Sequence, residues 1–406
     1  MATPKLRFKE FDGGWTKSTI QFFMDNNFIL DQMDGNHGEL YPKSEEFSAT
    51  GVPYISATDF SFGDVNFATC KRLPIERAKL FKKGIAKNGD VLFAHNATVG
   101  PVAILKTDLD FVILSTTATY YRCEATYLNN HYLKNYFESD FFVQQYFGIM
   151  SQSTRNQVPI TTQRKLNIAV PNIQEQTKIA SFLSAVDEKI SQLTQKHELL
   201  SQYKQGMMQK LFSQQLRFKA DDGSEFGEWE EKELKDIAEI NPKSKKLPES
   251  FIYIDLESVE KGQLLLQKNI ELQDAPSRAQ RLLAKGDVLF QMVRPYQQNN
   301  YYFNLSGEYV ASTGYAQIRT KLDSKFIYYA LHEKTFLDEV MNRCTGTSYP
   351  AINSSDLSSI EILIPCLEEQ TKIANFLSAI DQKIEVVAQQ IEQAKTWKKG
   401  LLQQMF

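Results

Sequence analysis

The chain has 406 residues, a length that suits two or three domains, and its 42% hydrophobic and 23% charged residues are typical of a soluble globular protein. No apolar run is long enough to cross a bilayer and the first ten residues lack an apolar export signal, so we expect a cytoplasmic protein with no membrane partner. A net charge of −3 argues against wrapping nucleic acid by bulk positive charge. The four cysteines and five histidines are scattered without metal-ligand spacing, so we predict no metal site.

Residues 1–172 are predicted to form the first globular domain. Short β-rich runs such as residues 90–94 and 111–114 alternate with Gly, Asn, Asp and Pro turns, and residues 132–147 carry apolar positions at helical spacing. This combination predicts a mixed α/β domain.

A dense cluster of cations lies in the middle of this domain, between residues 71 and 87, opposed only by Glu76. Such a cluster can neutralise DNA phosphates and fix the register of a protein on the duplex, and the alternative interpretation is a solvated charged face. The candidate phosphate contacts are Lys71, Arg72, Arg77, Lys79, Lys82 and Lys83.

Two polar loops of the first domain are candidates for reading DNA bases. One follows the strand-like run at 90–94, and the other precedes the long helical segment described next. Asn, Gln and Arg can form paired hydrogen bonds with base edges in the major groove, and ordinary surface loops share this composition. The candidates are His95, Asn96 and Thr98 in the first loop and Arg155, Asn156 and Gln157 in the second.

Residues 173–213 are predicted to form one long helix, because they contain no proline and a single glycine. Their apolar residues step alternately by three and four from Leu183 to Leu211, which is the pattern of a coiled-coil seam. About 40 residues at ~1.5 Å each give a rod of roughly 60 Å. Lys204 lies in the seam, where it either fixes the pairing register or extends its amine to solvent.

Residues 214–366 are predicted to form a second mixed α/β domain, with a strand-like run at 251–255 and a helical stretch at 325–341. Its cations are sparser, with Arg278, Arg281 and Arg294 as candidate phosphate contacts. Its polar loops supply the candidate base-reading residues Gln291, Arg294, Tyr296, Gln297, Thr347 and Tyr349. Residues 367–406 form a second predicted long helix, with Lys398 at the position of Lys204.

An internal repeat organises the whole chain. Residues 171–190 return as residues 365–384 with 14 of 20 positions identical, and a Gly-Asp-Val-Leu-Phe run occurs at 89–93 and again at 286–290. A single amphipathic helix cannot bury its apolar stripe, and the repeat supplies a partner within the chain. We therefore predict an α+β fold in which two mixed α/β domains are joined by two long antiparallel coiled-coil helices with pseudo-two-fold symmetry.

With both repeats laid out, the chain resembles the specificity subunits of type I restriction-modification enzymes along nearly its whole length. Helices in that family begin with a Pro-x-x-x-Glu-Gln-x-x-Ile-x-x-x-Leu-x-x-x-Asp pattern. The matching residues are Pro171, Glu175, Gln176, Ile179, Leu183 and Asp187, and then Pro365, Glu369, Gln370, Ile373, Leu377 and Asp381.

The resemblance implies a function in recognising double-stranded DNA. Each globular domain would read one half of a bipartite site, and the helical pair would set the spacer between the halves. The resemblance also implies that the helices dock methyltransferase subunits, which use S-adenosylmethionine, and motor-nuclease subunits, which use ATP and magnesium. Glu175, Gln176, Glu369 and Gln370 are then candidate partner-binding residues, and this chain would need no cofactor of its own.

Two other interpretations remain open at this stage. The fold could serve a DNA-binding or adaptor protein outside restriction, or the chain could be a self-sufficient methyltransferase or nuclease. The sequence contains neither a Gly-x-x-x-x-Gly-Lys-Ser/Thr phosphate loop nor an Asn-Pro-Pro-Tyr or Asp-Pro-Pro-Tyr methyltransferase motif, and the isolated Glu230-Glu231-Lys232 run is common in charged chains. We therefore predict no catalytic residue in this chain.

Overall fold

The computed structural model of the protein describes residues 4–36, 38–61, 63–151, 156–243 and 246–406. The chain divides into two compact units, unit 1 formed by residues 1–196 with 387–406 and unit 2 formed by residues 197–386. Each unit contains one globular region and one segment from each of two long helices. Within the described ranges, no helix is both long enough and apolar enough to span a bilayer.

The globular region of unit 1 combines short strands with short helices. The strands are β1 (Thr16–Thr19), β2 (Ile29–Asp34), β3 (Val52–Ile55), β4 (Phe60–Ser61), β5 (Asp64–Val65), β6 (Lys71–Leu73), β7 (Ile85–Ala86), β8 (Val91–Asn96), β9 (Thr98–Ile104), β10 (Val112–Leu114), β11 (Ala118–Cys123) and β12 (Asn167–Val170). The α-helices are α1 (Ile20–Asp25), α2 (Ile75–Ala78), α3 (Asn130–Glu138), α4 (Asp140–Met150) and α5 (Ile160–Gln163), and 3₁₀ turns lie at Gly38–Leu40, Ser44–Glu46 and Ala57–Asp59. The long helix α6 (Ile173–Phe212) begins in unit 1 and ends in unit 2.

The globular region of unit 2 likewise combines short strands with short helices. Its strands are β13 (Glu230–Glu233), β14 (Ala238–Ile240), β15 (Ser250–Ile254), β16 (Val259–Glu260), β17 (Gln263–Leu264), β18 (Lys268–Glu271), β19 (Ala279–Leu282), β20 (Val288–Gln291), β21 (Tyr301–Tyr302), β22 (Tyr309–Ser312), β23 (Tyr315–Thr320) and β24 (Glu361–Ile364). Its α-helices are α7 (Leu234–Ile237), α8 (Ser324–Ala330), α9 (Lys334–Asn342) and α10 (Ser354–Ser358), with 3₁₀ turns at Leu272–Asp274 and Pro295–Gln297. The long helix α11 (Leu367–Met405) begins in unit 2 and ends in unit 1.

The sheets of the two units have the same topology. Unit 1 contains four-stranded sheets in the orders β6-β3-β10-β7 and β2-β11-β8-β9, and unit 2 contains the orders β18-β15-β22-β19 and β14-β23-β20-β21. In each unit one central pair is parallel, β3 with β10 and β15 with β22, and the other pairs are antiparallel. This correspondence confirms the predicted fold class and internal repeat.

The duplicated Gly-Asp-Val-Leu-Phe run has a structural role. Gly89 adopts a left-handed conformation with φ of +86°, which a residue with a Cβ atom rarely accepts. The buried Asp90 carboxylate then accepts hydrogen bonds from Arg122 Nε at 3.0 Å and Nη2 at 2.7 Å. Burial raises the pKa of Asp90, and the Arg122 hydrogen bonds oppose that rise. Asp287 forms the equivalent bidentate pair with Arg319, so the motif anchors one sheet strand to its neighbour in both domains.

The two long helices pack together in an antiparallel arrangement that is visible inside each unit. In unit 1, the ring of Phe182 near the start of α6 lies edge-on to Trp397 near the end of α11, with centroids 6.1 Å apart. In unit 2, Lys204 near the end of α6 pairs with Asp381 near the start of α11 at 2.6 Å. The seam residues enter the apolar core of their own unit, as Leu183, Ile190 and Leu401 do in unit 1. This packing confirms the predicted coiled-coil pair.

Candidate nucleic-acid interface

Two loops that are far apart in the sequence meet at one edge of the unit 1 domain. The turn between β8 and β9 pairs with the segment before the long helix through a bridge between Asn96 and Gln157. The Ala97 N–H donates to the Asn156 carbonyl at 3.0 Å, and Asn156 Nδ2 donates back to the Ala97 carbonyl at 2.9 Å. Four of the predicted base-reading residues, Asn96, Thr98, Asn156 and Gln157, therefore belong to one composite edge.

The unit 2 domain assembles its counterpart in the same way. Val293, which follows β20, bridges to Ala351, and the Arg294 N–H donates to the Pro350 carbonyl at 2.7 Å. The Arg294 guanidinium lies over the ring of Tyr349, 4.2 Å from its centroid. We call the two assemblies the reading edges, comprising residues 95–98 with 156–158 in unit 1 and residues 291–298 with 345–352 in unit 2.

Exposure divides the predicted base-reading residues into two groups. Thr98, Asn156, Tyr296, Gln297, Thr347 and Tyr349 are exposed, and Asn96, Gln157 and Arg294 are half-buried. His95 and Gln291 are buried, with 5% and 2% exposure, so their side chains face the interior of their domains. Arg155 lies outside the described residues.

Gln291 shows how such a buried side chain organises the reading edge. Its Nε2 donates to the Val293 carbonyl at 2.8 Å and to Gln297 Oε1 at 2.9 Å, while its Oε1 accepts from the Asn299 N–H at 3.0 Å. The Gln291 N–H donates to Asn300 Oδ1 at 2.8 Å. These bonds satisfy a buried amide and hold residues 293–300 in one shape.

The cation cluster of unit 1 also separates into internal and outward-facing members. Arg77 is held within the domain, because its Nε donates to Glu46 Oε1 at 2.5 Å and its guanidinium lies 4.9 Å from the Phe81 ring centroid. The Arg77 hydrogen bond lowers the pKa of the Glu46 carboxyl. Arg72 is half-buried and donates to the Gly51 carbonyl at 3.1 Å. Among the six candidate phosphate contacts, the exposed cations are Lys71, Lys79, Lys82 and Lys83.

In unit 2 the predicted phosphate contacts differ in accessibility. Arg278 is exposed, whereas Arg281 is half-buried in β19 and has a buried Nε without a hydrogen-bond partner among the described residues. Burial lowers the pKa of Arg281. Arg278 and Arg294 are therefore better placed than Arg281 to meet a phosphate.

The four predicted partner-binding residues lie inside the protein, where each domain joins its long helix. Glu175 is fully buried and forms a bidentate pair with Arg7, at 2.7 Å from both Nε and Nη2. Glu369 makes the equivalent pair with Arg217, at 3.1 Å and 2.8 Å, and accepts a further bond from Trp229 Nε1 at 3.1 Å. These carboxylates are fully occupied within the chain and offer no surface to a partner in this conformation.

The neighbouring glutamines hold the first turn of each helix against its domain. Gln176 Oε1 accepts from the N–H of Asn129, the residue that caps α3, at 2.9 Å, and Gln370 Oε1 accepts from the N–H of Asp323, which caps α8, at 3.2 Å. The amide of Gln176 also donates to the Pro171 carbonyl, as Gln370 does to Pro365. The Glu-Gln pairs are therefore buried intramolecular junctions, and direct contact of these residues with a partner stays a prediction.

Both seam lysines are ion-paired within their own unit. Lys398, with 16% exposure, bonds to Glu138 at 2.8 Å and Asp187 at 2.7 Å, and Lys134 bonds to the same two carboxylates at 3.0 Å and 2.9 Å. Burial opposes ionisation of Asp187, yet Lys134 and Lys398 hold its pKa below the ordinary value. A lysine fixed in this way favours the register role over extension into solvent.

The described part of the chain contains no group of three or more His, Cys, Asp and Glu side chains arranged to hold a metal ion. Buried carboxylates such as Glu175, Glu369 and Asp90 are instead each paired with an arginine. The arrangement provides exposed cations and amides for binding a polyanion and two polar edges that could enter a groove.

Comparisons with known proteins agree with this architecture. The sequence model of the type I restriction modification DNA specificity domain matches residues 31–202 and again residues 227–396. The chain therefore belongs to this family and is a specificity subunit of a type I restriction-modification system, the class of subunit that recognises DNA without catalysing a reaction.

Individual relatives cover most of the chain. A protein of Methanocaldococcus jannaschii assigned as the specificity subunit of type I restriction enzyme MjaX is 29% identical over 333 residues, which is 77% of this chain and 76% of that protein. The crystal structure of a type I restriction-modification S subunit from M. genitalium matches with a TM-score of 0.60 at 17% identity, over 100% of this chain and 99% of that one. A chain from a structure of type I R-M complex assembly and conformational transition gives a TM-score of 0.57 at 19% identity, over 96% and 97%. At these identities the two structures show the shared fold.

Proposed function

We propose that each globular domain reads one half of a bipartite sequence in double-stranded DNA. The observation that carries this proposal is the pair of reading edges, which share a backbone arrangement and differ in their side chains. Asn96, Thr98 and Asn156 occupy the first edge, whereas Arg294, Tyr296 and Tyr349 occupy the second. Two similar scaffolds with different donors and acceptors suit two different half-sequences.

Phosphate contacts would position these edges on the duplex. Lys71, Lys79, Lys82 and Lys83 are exposed on unit 1, and Arg278 is exposed on unit 2. Contacts of this kind add affinity that falls with salt and carry no sequence information. The net charge of −3 means that these cations are local features, so partner subunits would supply further DNA affinity.

The long helices would act as the spacer and as the docking surface. A helix of 40 residues such as α6 measures about 60 Å, and two half-sites one DNA turn apart are separated by roughly 34 Å. The helix length would therefore set the separation of the half-sites. The buried Glu-Gln junctions would contribute to assembly indirectly, by fixing how each helix leaves its domain.

A duplicated aromatic patch on the helices suits two copies of one partner, which we take to be the methyltransferase subunit. In unit 1, Trp397 is 54% exposed and lies edge-on to Phe182, whose ring is 5.9 Å from that of Phe8. In unit 2, Tyr203 occupies the position of Trp397 in the repeat and is 50% exposed. Large exposed aromatic side chains are typical anchors of protein interfaces. S-adenosylmethionine, ATP and magnesium would be bound by methyltransferase and motor-nuclease partners in the cytoplasm.

The test is a domain exchange followed by methylation mapping. Residues 214–366 are replaced by those of a relative with different specificity, and the methylated DNA motif is determined in cells that also express the methyltransferase subunit. The expected result is a bipartite adenine-methylated motif of which only one half changes. Exchange of residues 1–172 is the matched control and should change only the other half.

Four outcomes would contradict the proposal. A continuous motif would argue against two reading edges, and a motif unchanged by either exchange would argue against reading by these domains. Methylation or cleavage by the purified chain alone would favour a self-sufficient enzyme. Failure to co-purify with a methyltransferase subunit would favour an adaptor outside restriction.

A further inference from the structure

The two reading edges use the same backbone turn but place different chemistry on it. Ala97 in unit 1 and Arg294 in unit 2 both adopt a left-handed conformation, with φ of +62° and +54°, and both donate their N–H to the segment before the long helix. Non-glycine residues pay an energetic cost in this region, so the surrounding structure must hold the turn. The position therefore combines a fixed backbone with a side chain that differs between the domains.

The turn around Arg294 is rigid on both sides. Pro295–Gln297 forms a 3₁₀ turn that is bracketed by Arg294 and Gln298, and Gln298 is also left-handed with φ of +52°. Beneath it, the buried Gln291 amide holds the segment through the hydrogen bonds described above. The Arg294 backbone is thus positioned before any ligand arrives, which reduces the entropy lost on binding.

The Arg294 side chain is prepared for binding in a way that Arg77, Arg122 and Arg319 are not. Arg77, Arg122 and Arg319 each hold a carboxylate of their own domain. Within the part of the chain that the structure describes, no carboxylate forms an ion pair with Arg294, and its guanidinium lies over the Tyr349 ring. Stacking uses the flat face of the guanidinium and leaves its N–H edge available for a planar bidentate acceptor.

We propose that Arg294 is the base-reading group of the second domain and recognises guanine in the major groove, with Tyr349 as a positioning residue. Guanine presents O6 and N7 as two adjacent acceptors, which match the fork of the guanidinium. Tyr349 is 63% exposed, and its ring lies under the guanidinium at 4.2 Å, so it defines the plane in which Arg294 approaches a base. This inference rests on the proposed function, because it requires that the second domain reads one half-site.

The test compares the methylated motif of the parent complex with those of Arg294 and Tyr349 variants of the full chain. The domain exchange identifies which half belongs to residues 214–366, and we expect a G·C pair in it. R294A should remove the requirement for that base pair alone, with a loss of discrimination of roughly 10- to 100-fold. R294K keeps the charge but loses the fork, so it should also lose discrimination.

The Tyr349 variants separate positioning from general destabilisation. Y349F keeps the ring and should keep the motif, whereas Y349L removes the platform and should weaken discrimination at the same base pair while leaving the other half-site intact. The remaining base pairs of the same half-site are the folding control for every variant, because the same domain reads them.

Two results would overturn the inference. A motif unchanged by R294A and R294K would show that Arg294 does not read a base. Uniformly weaker binding of all sequences by R294A, with a salt slope reduced by about one charge, would assign Arg294 to a phosphate. Absence of any bipartite motif in the parent complex would instead reject the proposed function.

Discussion

The two units of this chain agree where a domain joins its helix and differ where side chains face outward or meet across the seam. Arg7 with Glu175 and Arg217 with Glu369 form nearly the same buried pair. At the seam, by contrast, unit 1 has a ring of two lysines and two carboxylates, one of which is Asp187. In unit 2, Asp381 instead bonds to Lys204 and to the hydroxyl of Tyr329. The duplicated sequence thus preserves the arginine–glutamate pairs that hold each helix to its domain, whereas the ion pairs at the seam differ between the units.

The largest expected effect comes from breaking the buried arginine–glutamate pair, of which each unit contains one copy. Glu369→Ala would leave Arg217 and Trp229 without their common acceptor in a buried position, at a cost of about 3 to 5 kcal/mol in the free energy of unfolding of unit 2. Glu175→Ala should cost unit 1 less, because Arg7 alone loses its partner there. Calorimetry of each variant, with hydrogen exchange of residues 367–386 and 173–196 to localise the loss, measures both.

Glu198→Ala is the matched control for these variants, because Glu198 is an exposed residue of α6, and it should change stability very little. Equal losses for Glu369→Ala and Glu175→Ala would contradict the extra contribution of Trp229. A loss as small as that of Glu198→Ala would contradict the junction role itself.

The second prediction concerns His332 of unit 2, whose counterpart in the repeat is Glu138 of unit 1. His332 is half-buried, and its Nδ1 donates to the Tyr328 carbonyl at 2.7 Å. Desolvation lowers its pKa to about 4, with Lys204 contributing to the decrease and the Tyr328 hydrogen bond and Asp381 opposing it. The unfolded ring takes up a proton near pH 6.5 and the folded ring does not, so stability is lost as the pH falls from about 6.5 towards about 4. At pH 5 this loss is about 2 kcal/mol.

The His332→Gln variant isolates that contribution, since it removes the titrating group and retains a polar side chain. Thermal unfolding at pH 7.5 and at pH 5 should show the wild type losing about 2 kcal/mol more than the variant in unit 2, with no difference between them in unit 1. A parallel pH response of the two proteins would show that His332 titrates as an exposed ring does.

The sequence predicted the long helices well because helix formation and seam packing follow local rules. Spacing by three and four residues without proline is sufficient to define α6 and α11, and the repeat provides each with a partner. The role of Glu175 and Glu369 could not be predicted in this way. Their partners lie 168 and 152 residues away, so a repeated motif alone does not reveal that its carboxylates are buried.

The reading edges illustrate the same limit. Polar residues after a strand suggested His95 and Gln291 as base contacts, but both continue the buried face of their strands. The sequence did contain a pattern that predicts these arginine–glutamate contacts. Leu6-Arg-Phe-Lys9 returns as Leu216-Arg-Phe-Lys219, just as the Glu-Gln pairs are repeated. Two arginines repeated together with two glutamates indicate a shared contact.

The smallest effect concerns one hydrogen bond that distinguishes otherwise matched tryptophans. Trp229 Nε1 donates to Glu369, whereas the buried Trp15 Nε1 has no hydrogen-bond partner in the described part of the chain. Both rings are 8% exposed and pack edge-on against aromatic neighbours. Trp→Phe removes the same atoms at both sites, so the transfer and cavity costs largely cancel in a comparison.

The Trp229→Phe variant should therefore destabilise unit 2 by about 1 to 2 kcal/mol more than Trp15→Phe destabilises unit 1, because a hydrogen bond to a buried carboxylate is lost only in unit 2. The excess should disappear when Trp229→Phe is made in a Glu369→Ala background, since the acceptor is already absent there. Urea unfolding of the single and double variants gives the coupling energy directly. Coupling near zero would mean that the Trp229 ring stabilises unit 2 by packing alone and that the two junctions are energetically equivalent.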